Sequence, residues 1–310
     1  MKENFQHNTY PKWKELQDGI LIETPAEFNF KANLKYLERD KNECMFEIEN
    51  DEITRILPAD GKHILVQISS PNNHDIIVRF LTDPIVTREA VVRFIVDWFD
   101  LETDIKPFYK MAQNDPLLKQ LIINHYGLRV IGVPNLFEAL CWGVLGQQIH
   151  LRFAYRLKRQ FVETFGQEIH YSGKSYWIHP TFEKIAELVP EDMSDIKIPT
   201  RKSEYIIGIA QLMEQGKLSK KKLLELGDFK NVENELIRIR GIGPWTANYV
   251  LMRCLRYKEA FPIDDVGLIK SIKFLKGMDQ KPTKDEILEL AIPWRNWEAY
   301  ATFYLWRALY

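Results

Sequence analysis

The stretch LIRIRGIGPWTANYVLMRCLRYKEAFPIDD, residues 236–265, decides the fold of the larger part of this chain. Within it, Gly241 and Gly243 bracket Ile242, and Pro244 follows. Glycine permits a very tight turn, Ile242 can plug between two helices, and proline suits the first position of the second helix. The pattern predicts a helix–hairpin–helix whose outward N–H groups bind an anion such as a DNA phosphate. An ordinary helix connection with a glycine cap is the alternative.

Two aromatic residues of this stretch, Trp245 and Tyr249, lie four positions apart and therefore share one helix face, which Met252 extends. This face either packs into the core or forms a stacking wall for a planar ligand at the mouth of the hairpin. Asp264 and Asp265 then precede an apolar helical run. An aspartate at this place is a helix N-cap or a catalytic anion, and one carboxylate can serve as both.

The composition of the 310 residues excludes several protein classes. Apolar residues make up 45% and charged residues 27%, which excludes wholesale disorder. Three cysteines are too few for a disulfide framework, a four-cysteine zinc site or a four-cysteine iron–sulfur cluster, and the seven histidines lack metal-ligand spacing. We therefore predict no metal site made of side chains. The sequence shows neither a membrane span nor a signal-peptide core, so we expect a cytoplasmic protein without a membrane partner.

The charge balance is nearly neutral. A net charge of −1 argues weakly against nucleic acid, although a neutral total can hide a basic face. Two local groups of basic residues are candidates for such a face, with solvated helix surfaces as the alternative: Arg152, Arg156, Lys158 and Arg159, and Lys217, Lys220, Lys221 and Lys222.

The chain changes character near residue 85. Before it, strand-like segments at 44–49, 63–69 and 76–81 are separated by turn-rich segments at 58–62 and 70–75, and a short helix is expected at 33–38. After it, helical periodicity begins with the segment VTREAVVRFIVDWFDL and continues at 115–124, 134–145, 149–165, 181–188, 200–214, 231–239, 244–256, 266–275, 284–291 and 294–309. The predicted fold class is α+β, with a small antiparallel-sheet domain at 1–85 and an all-α region at 86–310. Two helical subdomains that flank the active-site cleft are one expected arrangement of the helical region.

The unit from GIGPWTANY to FPIDD resembles the helix–hairpin–helix DNA glycosylases, and more narrowly the bacterial inducible 3-methyladenine glycosylases that remove alkylpurines. The resemblance covers roughly residues 115 to 306. It includes VPNLFEALCWGVLGQQIH (133–150), IPTRKSEYIIGIA (198–210) and WRNWEAYATFYLW (294–306). A mixed α/β domain before the helical part is also implied by this resemblance.

The resemblance implies a role for each matched residue. Asp265, the second aspartate of the pair, matches the catalytic one. Trp245, Tyr249 and Trp306 match aromatic walls of the base pocket. Gln148 matches the residue that enters the gap left by the extruded nucleotide, and the DNA-backbone contact falls on the hairpin residues Gly241, Ile242 and Gly243.

Four positions depart from the family pattern. Trp245 stands where lyase-competent members carry the Schiff-base lysine, which implies a monofunctional enzyme. Gln148 replaces an apolar wedge, Glu298 replaces an arginine in the last helix, and Val266 replaces an aromatic residue, which implies a more open pocket.

The expected activity is the extrusion and hydrolytic excision of alkylated purines such as 3-methyladenine and 7-methylguanine from double-stranded DNA by a monomer, leaving an abasic site. A carboxylate beside the sugar stabilises the oxocarbenium-like transition state, and electron-rich rings favour a cationic base. No cofactor is expected, although the resemblance allows a monovalent cation on hairpin carbonyls. A glycosylase for oxidised purines, a non-catalytic DNA-binding protein and a small-molecule enzyme with a coincidental hairpin are the alternatives.

Overall fold

The N-terminal part of the chain forms one antiparallel sheet. The computed structural model describes residues 12–82 and 86–309, so the predicted domain boundary at residue 85 and the terminal Tyr310 lie outside the described residues. Its strands are β1 Trp13–Leu16, β2 Gly19–Ile22, β3 Phe46–Glu49, β4 Glu52–Ala59, β5 Lys62–Ser69 and β6 Ile76–Phe80. They pair in the order β1-β2-β6-β5-β4-β3.

Three of these strands were not predicted, and one predicted turn is shorter than expected. Strands β1 and β2 are only four residues long, and three of the four residues of β1 are exposed, so neither gives a periodic apolar signal. Strand β4 runs through Pro58 to Ala59, so the turn narrows to Asp60 and Gly61, both with positive φ. Proline is tolerated there because β3 pairs with β4 only at residues 52–55, which leaves Pro58 beyond the end of its neighbour.

The remainder of the chain is mainly helical. Predicted helices at 200–214, 266–275 and 284–291 have the observed bounds, whereas the helices at Lys106–Ala112 and Lys220–Glu225 were not predicted. The helices are α1 Phe30–Leu37, α2 Arg88–Phe99, α3 Lys106–Ala112, α4 Lys119–Asn124, α5 Leu136–Leu145, α6 Leu151–Phe165, α7 Phe182–Ala186, α8 Thr200–Glu214, α9 Lys220–Glu225, α10 Phe229–Ile237, α11 Pro244–Arg253, α12 Val266–Leu275, α13 Lys284–Ala291 and α14 Glu298–Leu305.

The prediction of an all-α region from 86 to 310 is wrong at one hairpin. Strands β7 Gln167–Tyr171 and β8 Lys174–Ile178 pair antiparallel around Ser172 and Gly173, which both have positive φ. Tyr176 and Ile178 of the hairpin pack on the N-terminal sheet at Ile56 and Leu65. The hairpin therefore extends the contact between the two parts of the chain. The last predicted helix is also divided, because a 3-10 segment at Trp306–Leu309 follows α14.

The sheet and the helices share one apolar core, which runs from Ile20 and Val78 to Phe303 and Tyr304. Buried polar groups also link the two parts. The side chain of Asn33 on α1 donates to Gly127 O at 2.9 Å and accepts from Arg129 N at 2.9 Å. These bonds join α1 to the connection between α4 and α5. Within the described residues, none of the helices combines the length and apolarity needed to cross a membrane.

Candidate active site

The predicted hairpin is formed by the end of α10, the turn at 241–243 and the start of α11. Gly241 adopts a φ of +94°, and a Cβ on it would lie 2.3 Å from Cγ of Tyr205, so this position requires glycine. Ile242 is buried, and its N–H donates to Ile239 O at 3.0 Å. Ala247 N makes the first i→i−4 bond of α11, to Gly243 O at 2.9 Å. The N–H groups that precede it are the orphan donors of a helix N-terminus, which suits an anion.

The second glycine of the hairpin differs from the first. Gly243 has an ordinary φ of −88°, and a Cβ on it would meet no atom within 4 Å. A side chain would therefore obstruct the turn at Gly241 and not at Gly243. At Gly243 the remaining reason for glycine is the approach of a ligand from outside.

The loop after α5 is hydrogen-bonded to the hairpin, and the residues that form these bonds were not predicted from the sequence. We call this contact the brace. Gln147 Nε2 donates to Gly241 O at 2.8 Å and to Thr246 Oγ1 at 3.2 Å. Lys202 Nζ on α8 donates to the carbonyls of Leu145 and Gln147 at 2.7 and 2.8 Å, which satisfies the C-terminal end of α5. The GQQ segment marked this loop in the sequence, but nothing local in the sequence distinguishes Gln147 from Gln148.

Gln148, the predicted wedge, is exposed and has a φ of +56°. It lies between α5 and α6, beside the brace formed by Gln147. Its insertion into DNA stays a prediction. Of the hairpin carbonyls, Gly241 O accepts from Gln147 and Ile239 O accepts from Ile242, and a monovalent cation on the hairpin carbonyls stays an expectation of the resemblance.

Asp265 lies at the centre of the site and is held by three donors. It is the N-cap of α12, where Oδ1 accepts from Leu268 N at 2.8 Å. The same Oδ1 accepts from Nε1 of Trp306 at 2.8 Å, and Oδ2 accepts from Nε1 of Trp245 at 2.8 Å. The side chain of Asp265 is therefore both the N-cap of α12 and the carboxylate that the two indoles contact. Asp264 is exposed and pairs instead with Lys284 at 3.2 Å.

The predicted aromatic residues surround this carboxylate. The rings of Trp245 and Tyr249 stack with their centroids 5.7 Å apart and an interplanar angle of 24°. Trp306 is half-buried, in the 3-10 segment after α14. A Cβ on Gly267 would lie 3.1 Å from Cδ1 of Trp306, so this glycine allows the indole its close approach to α12. Trp245, Trp306 and Asp265 form one group, and the stack extends it to Tyr249.

A cavity at the junction of the sheet and the helices adjoins this group, because Tyr249 is among its lining residues. One wall holds a buried ion cluster in which Lys158 Nζ lies 3.0 Å from Glu43 Oε1 and 3.2 Å from Glu138 Oε1. Burial alone would lower the pKa of Lys158, but the two carboxylates reverse this effect and raise it above its ordinary value. Lys158 therefore does not belong to a solvated basic face, contrary to one interpretation of the sequence.

Two family descriptions match the chain in succession. Residues 141–296 match the HhH-GPD superfamily base excision DNA repair protein, and residues 20–140 match the 8-oxoguanine DNA glycosylase N-terminal domain. A Bacillus subtilis strain 168 protein described as DNA-3-methyladenine glycosylase is 60% identical over 96% of this chain and 99% of its own length. The Escherichia coli K12 protein DNA-3-methyladenine glycosylase 2 is 29% identical over 58% of this chain and 60% of its own length.

Solved structures share the fold over nearly the whole chain. The 3-methyladenine DNA glycosylase from Archaeoglobus fulgidus has a TM-score of 0.76 at 24% identity, over 96% of this chain and 97% of that one. The Clostridium acetobutylicum 8-oxoguanine glycosylase/lyase in complex with double-stranded DNA also has a TM-score of 0.76, at 19% identity and with the same coverage. At these identities the two structures show the fold alone.

The comparisons confirm the predicted α+β fold class and the prediction of a DNA glycosylase of base excision repair. The hairpin, the aspartate after it and the aromatic group are thus parts of a known kind of protein: the chain belongs to the HhH-GPD superfamily of base excision DNA repair proteins.

Proposed function

We propose that this chain extrudes alkylated purines such as 3-methyladenine and 7-methylguanine from duplex DNA and hydrolyses their N-glycosidic bonds, leaving an abasic site. The observation that carries this proposal is the carboxylate of Asp265, fixed by two indole N–H groups beside an aromatic stack. The relative from Bacillus subtilis, which is described as a DNA-3-methyladenine glycosylase, supports the choice of alkylated bases.

The hydrogen bonds of Asp265 leave it suited to electrostatic catalysis. Breaking the N-glycosidic bond develops positive charge on the sugar, and a fixed carboxylate beside C1′ stabilises that charge without reorganising. Oδ1 accepts two hydrogen bonds, whereas Oδ2 accepts one from Trp245. Oδ2 therefore keeps a lone pair with which to orient the attacking water.

The aromatic residues account for the choice of base. Alkylation of a ring nitrogen makes a purine cationic, and a cation over a Trp or Tyr face gains about 0.5–2 kcal/mol. The half-buried indole of Trp245 offers such a face next to the carboxylate, and the buried ring of Tyr249 stacks on it. The same positive charge makes the base a better leaving group, so a strong general acid is not required.

The site favours a monofunctional enzyme over a glycosylase that cleaves the strand. Trp245 occupies the position at which the resemblance places the Schiff-base lysine of lyase-competent members, and an indole cannot form an imine. The match of residues 20–140 to the 8-oxoguanine glycosylase N-terminal domain keeps oxidised purines as the second candidate substrate.

We further propose how the protein meets DNA. The hairpin residues Gly241, Ile242 and Gly243 bind a backbone phosphate, and Gln148 enters the gap left by the extruded nucleotide. The protein acts as a monomer on chromosomal DNA at the nucleoid in the cytoplasm, with the sheet and helical parts as two domains. The match of residues 141–296 to a superfamily of base excision DNA repair proteins supports DNA as the partner.

Mass spectrometry of bases freed from methylated duplex DNA tests the function. We expect 3-methyladenine and 7-methylguanine in the supernatant, an uncleaved abasic strand, and no covalent complex after borohydride treatment. Release of 8-oxoguanine in place of methylated bases, or a trapped complex, would contradict the proposal. Lys258 and Lys270 would then be the first lysines to substitute.

A further inference from the structure

The cavity beside the stacked rings is lined by residues from both parts of the chain. Tyr36 on α1 and Arg55 on β4 come from the sheet part, and Trp142, Tyr155 and Tyr249 come from α5, α6 and α11. Tyr249 lines the cavity and also stacks on Trp245, so the cavity adjoins the proposed base-binding stack. The sheet part of the molecule thus reaches the site through this cavity.

Several lining residues carry hydrogen-bond donors and no carboxylate, and we name five of them the donor cluster: Tyr36, Arg39, Tyr155, Tyr249 and Arg253. The Tyr36 hydroxyl accepts hydrogen bonds from Arg39 and from Arg253 Nη1, the latter at 2.7 Å. The Tyr155 hydroxyl accepts from Arg39 Nε. A phenol that accepts from a guanidinium still has its own O–H to donate.

The donors of this cluster exceed its acceptors. None of its three hydroxyls donates to a residue that the structure describes, and neither arginine forms an ion pair with a carboxylate in the same ranges. Burial raises the pKa of Tyr155 and of Tyr249, so both hydroxyls stay protonated near neutral pH.

The remaining charges of the cavity wall do not supply the missing acceptor. Glu43 and Glu138 line the same cavity but are bound to Lys158, and Glu43 Oε1 also accepts from the N–H groups of Cys44 and Met45. Arg55 is 5% exposed, and its Nε has no partner among the described residues, which adds another donor. Buried donors are normally paired, so the Nε of Arg55 and the O–H groups of the three tyrosines suit a ligand that brings acceptors.

The geometry of a purine determines which of its atoms would reach this wall. The sugar is bonded to N9, so a base with its sugar at Asp265 and its ring against Trp245 and Tyr249 directs its far edge away from the carboxylate. That edge carries the substituent at position 6. In guanine and hypoxanthine derivatives this substituent is a carbonyl oxygen, an acceptor, whereas in adenine derivatives it is an amino group, a donor.

We propose that the donor cluster is a base-selecting subsite that binds the 6-carbonyl oxygen of an extruded 6-oxopurine, with Arg39 as its specificity-determining residue. This inference rests on the proposed function and specifies its substrate class. Sites built to hydrogen-bond a substrate group discriminate strongly against an analogue that lacks it. The subsite therefore favours 7-methylguanine and hypoxanthine over 3-methyladenine.

Methylated duplex DNA provides a matched test, because it contains 7-methylguanine and 3-methyladenine, which are both cationic and differ at position 6. The measurement is the initial rate of release of each base by mass spectrometry, for the wild type and for Arg39→Met. We expect the rate for 7-methylguanine to fall by about 10- to 100-fold and that for 3-methyladenine by less than about threefold. Arg93→Met is the matched control, because Arg93 is exposed and pairs with Asp60, and it should change neither rate.

A second variant keeps the test decisive if Arg39→Met unfolds. Tyr155→Phe keeps the ring and removes one donor, so it should shift the ratio of the two rates in the same direction by a smaller factor. Equal loss of both bases, or a ratio that stays within about twofold in the folded variants, would overturn the inference. If the wild type releases neither base, the proposed function fails. If it releases both and the ratio does not respond, only the subsite fails.

Discussion

At the scale of single residues, the site depends on how Asp265 is held. Two indole donors and a backbone N–H fix both carboxylate oxygens, and the indoles come from α11 and from the segment after α14. Trp306 is therefore more than a ring for stacking. The Trp306→Phe substitution separates the positioning role of the indole N–H from the role of the ring as a pocket wall. Phenylalanine keeps an aromatic face but lacks the N–H donor.

Trp306→Phe should slow base excision about 10- to 100-fold, since a hydrogen bond to a charged group contributes about 1.5–3 kcal/mol. The change in melting temperature should be small, because the residue is half-buried and the ring is largely retained. Single-turnover rates on methylated DNA measure the effect. Trp177→Phe, at a half-buried tryptophan of β8, is the control and should excise at the wild-type rate. A normal rate for Trp306→Phe would remove its positioning role.

At the scale of elements, substitutions at the two glycines of the hairpin should affect different properties. A substitution at Gly241 should lower stability, and one at Gly243 should lower DNA affinity. Gly241→Ala places a Cβ against the Tyr205 ring at a φ of +94°, and such strain costs about 1–3 kcal/mol. We expect a lowered melting temperature for this variant. Thermal unfolding beside the wild type measures it, and an unchanged melting temperature would contradict the assigned turn geometry.

Gly243→Val should behave differently, because its side chain meets open space at an ordinary φ. The melting temperature should stay close to that of the wild type, while affinity for duplex DNA falls because the side chain stands in the way of the phosphate. Fluorescence anisotropy with a labelled duplex measures the affinity. Wild-type affinity in this variant would remove the phosphate contact from the hairpin.

At the scale of the whole molecule, the buried ion cluster of Lys158, Glu43 and Glu138 joins the segment after α1 to helices α5 and α6. Lys158→Met leaves two buried carboxylates without their cation, which should cost about 3–5 kcal/mol of the free energy of unfolding. Lys221→Met is the control, since Lys221 is exposed and its pair with Glu225 contributes less than about 1 kcal/mol. Denaturant unfolding compares the two, and equal effects would show that the cluster is not a structural link.

The sequence predicts the parts of the fold and of the site whose residues lie close together along the chain. It does not predict contacts between residues that are far apart in the sequence. The hairpin, Asp265 and the stacked pair fall within one short segment. There, glycine predicts a turn, proline predicts the start of a helix, and helical spacing predicts which residues share a face. The brace from Gln147 to Gly241 spans 94 residues, and the bond from Arg39 to Tyr155 spans 116. No local pattern specifies such partners. The unpredicted strands β1 and β2 are short, and their place in the sheet depends on pairing, of β1 with β2 and of β2 with β6.

The central claim, that Asp265 supplies the catalytic charge, is tested most directly by Asp265→Asn beside Asp264→Asn. The amide that replaces the carboxylate of Asp265 keeps the size of the side chain but lacks the charge needed in the transition state. We therefore predict loss of base release from methylated duplex DNA with nearly unchanged DNA affinity, and a mild effect for Asp264→Asn, whose carboxylate faces Lys284. Retained excision by Asp265→Asn, or a complete loss in Asp264→Asn alone, would contradict the account.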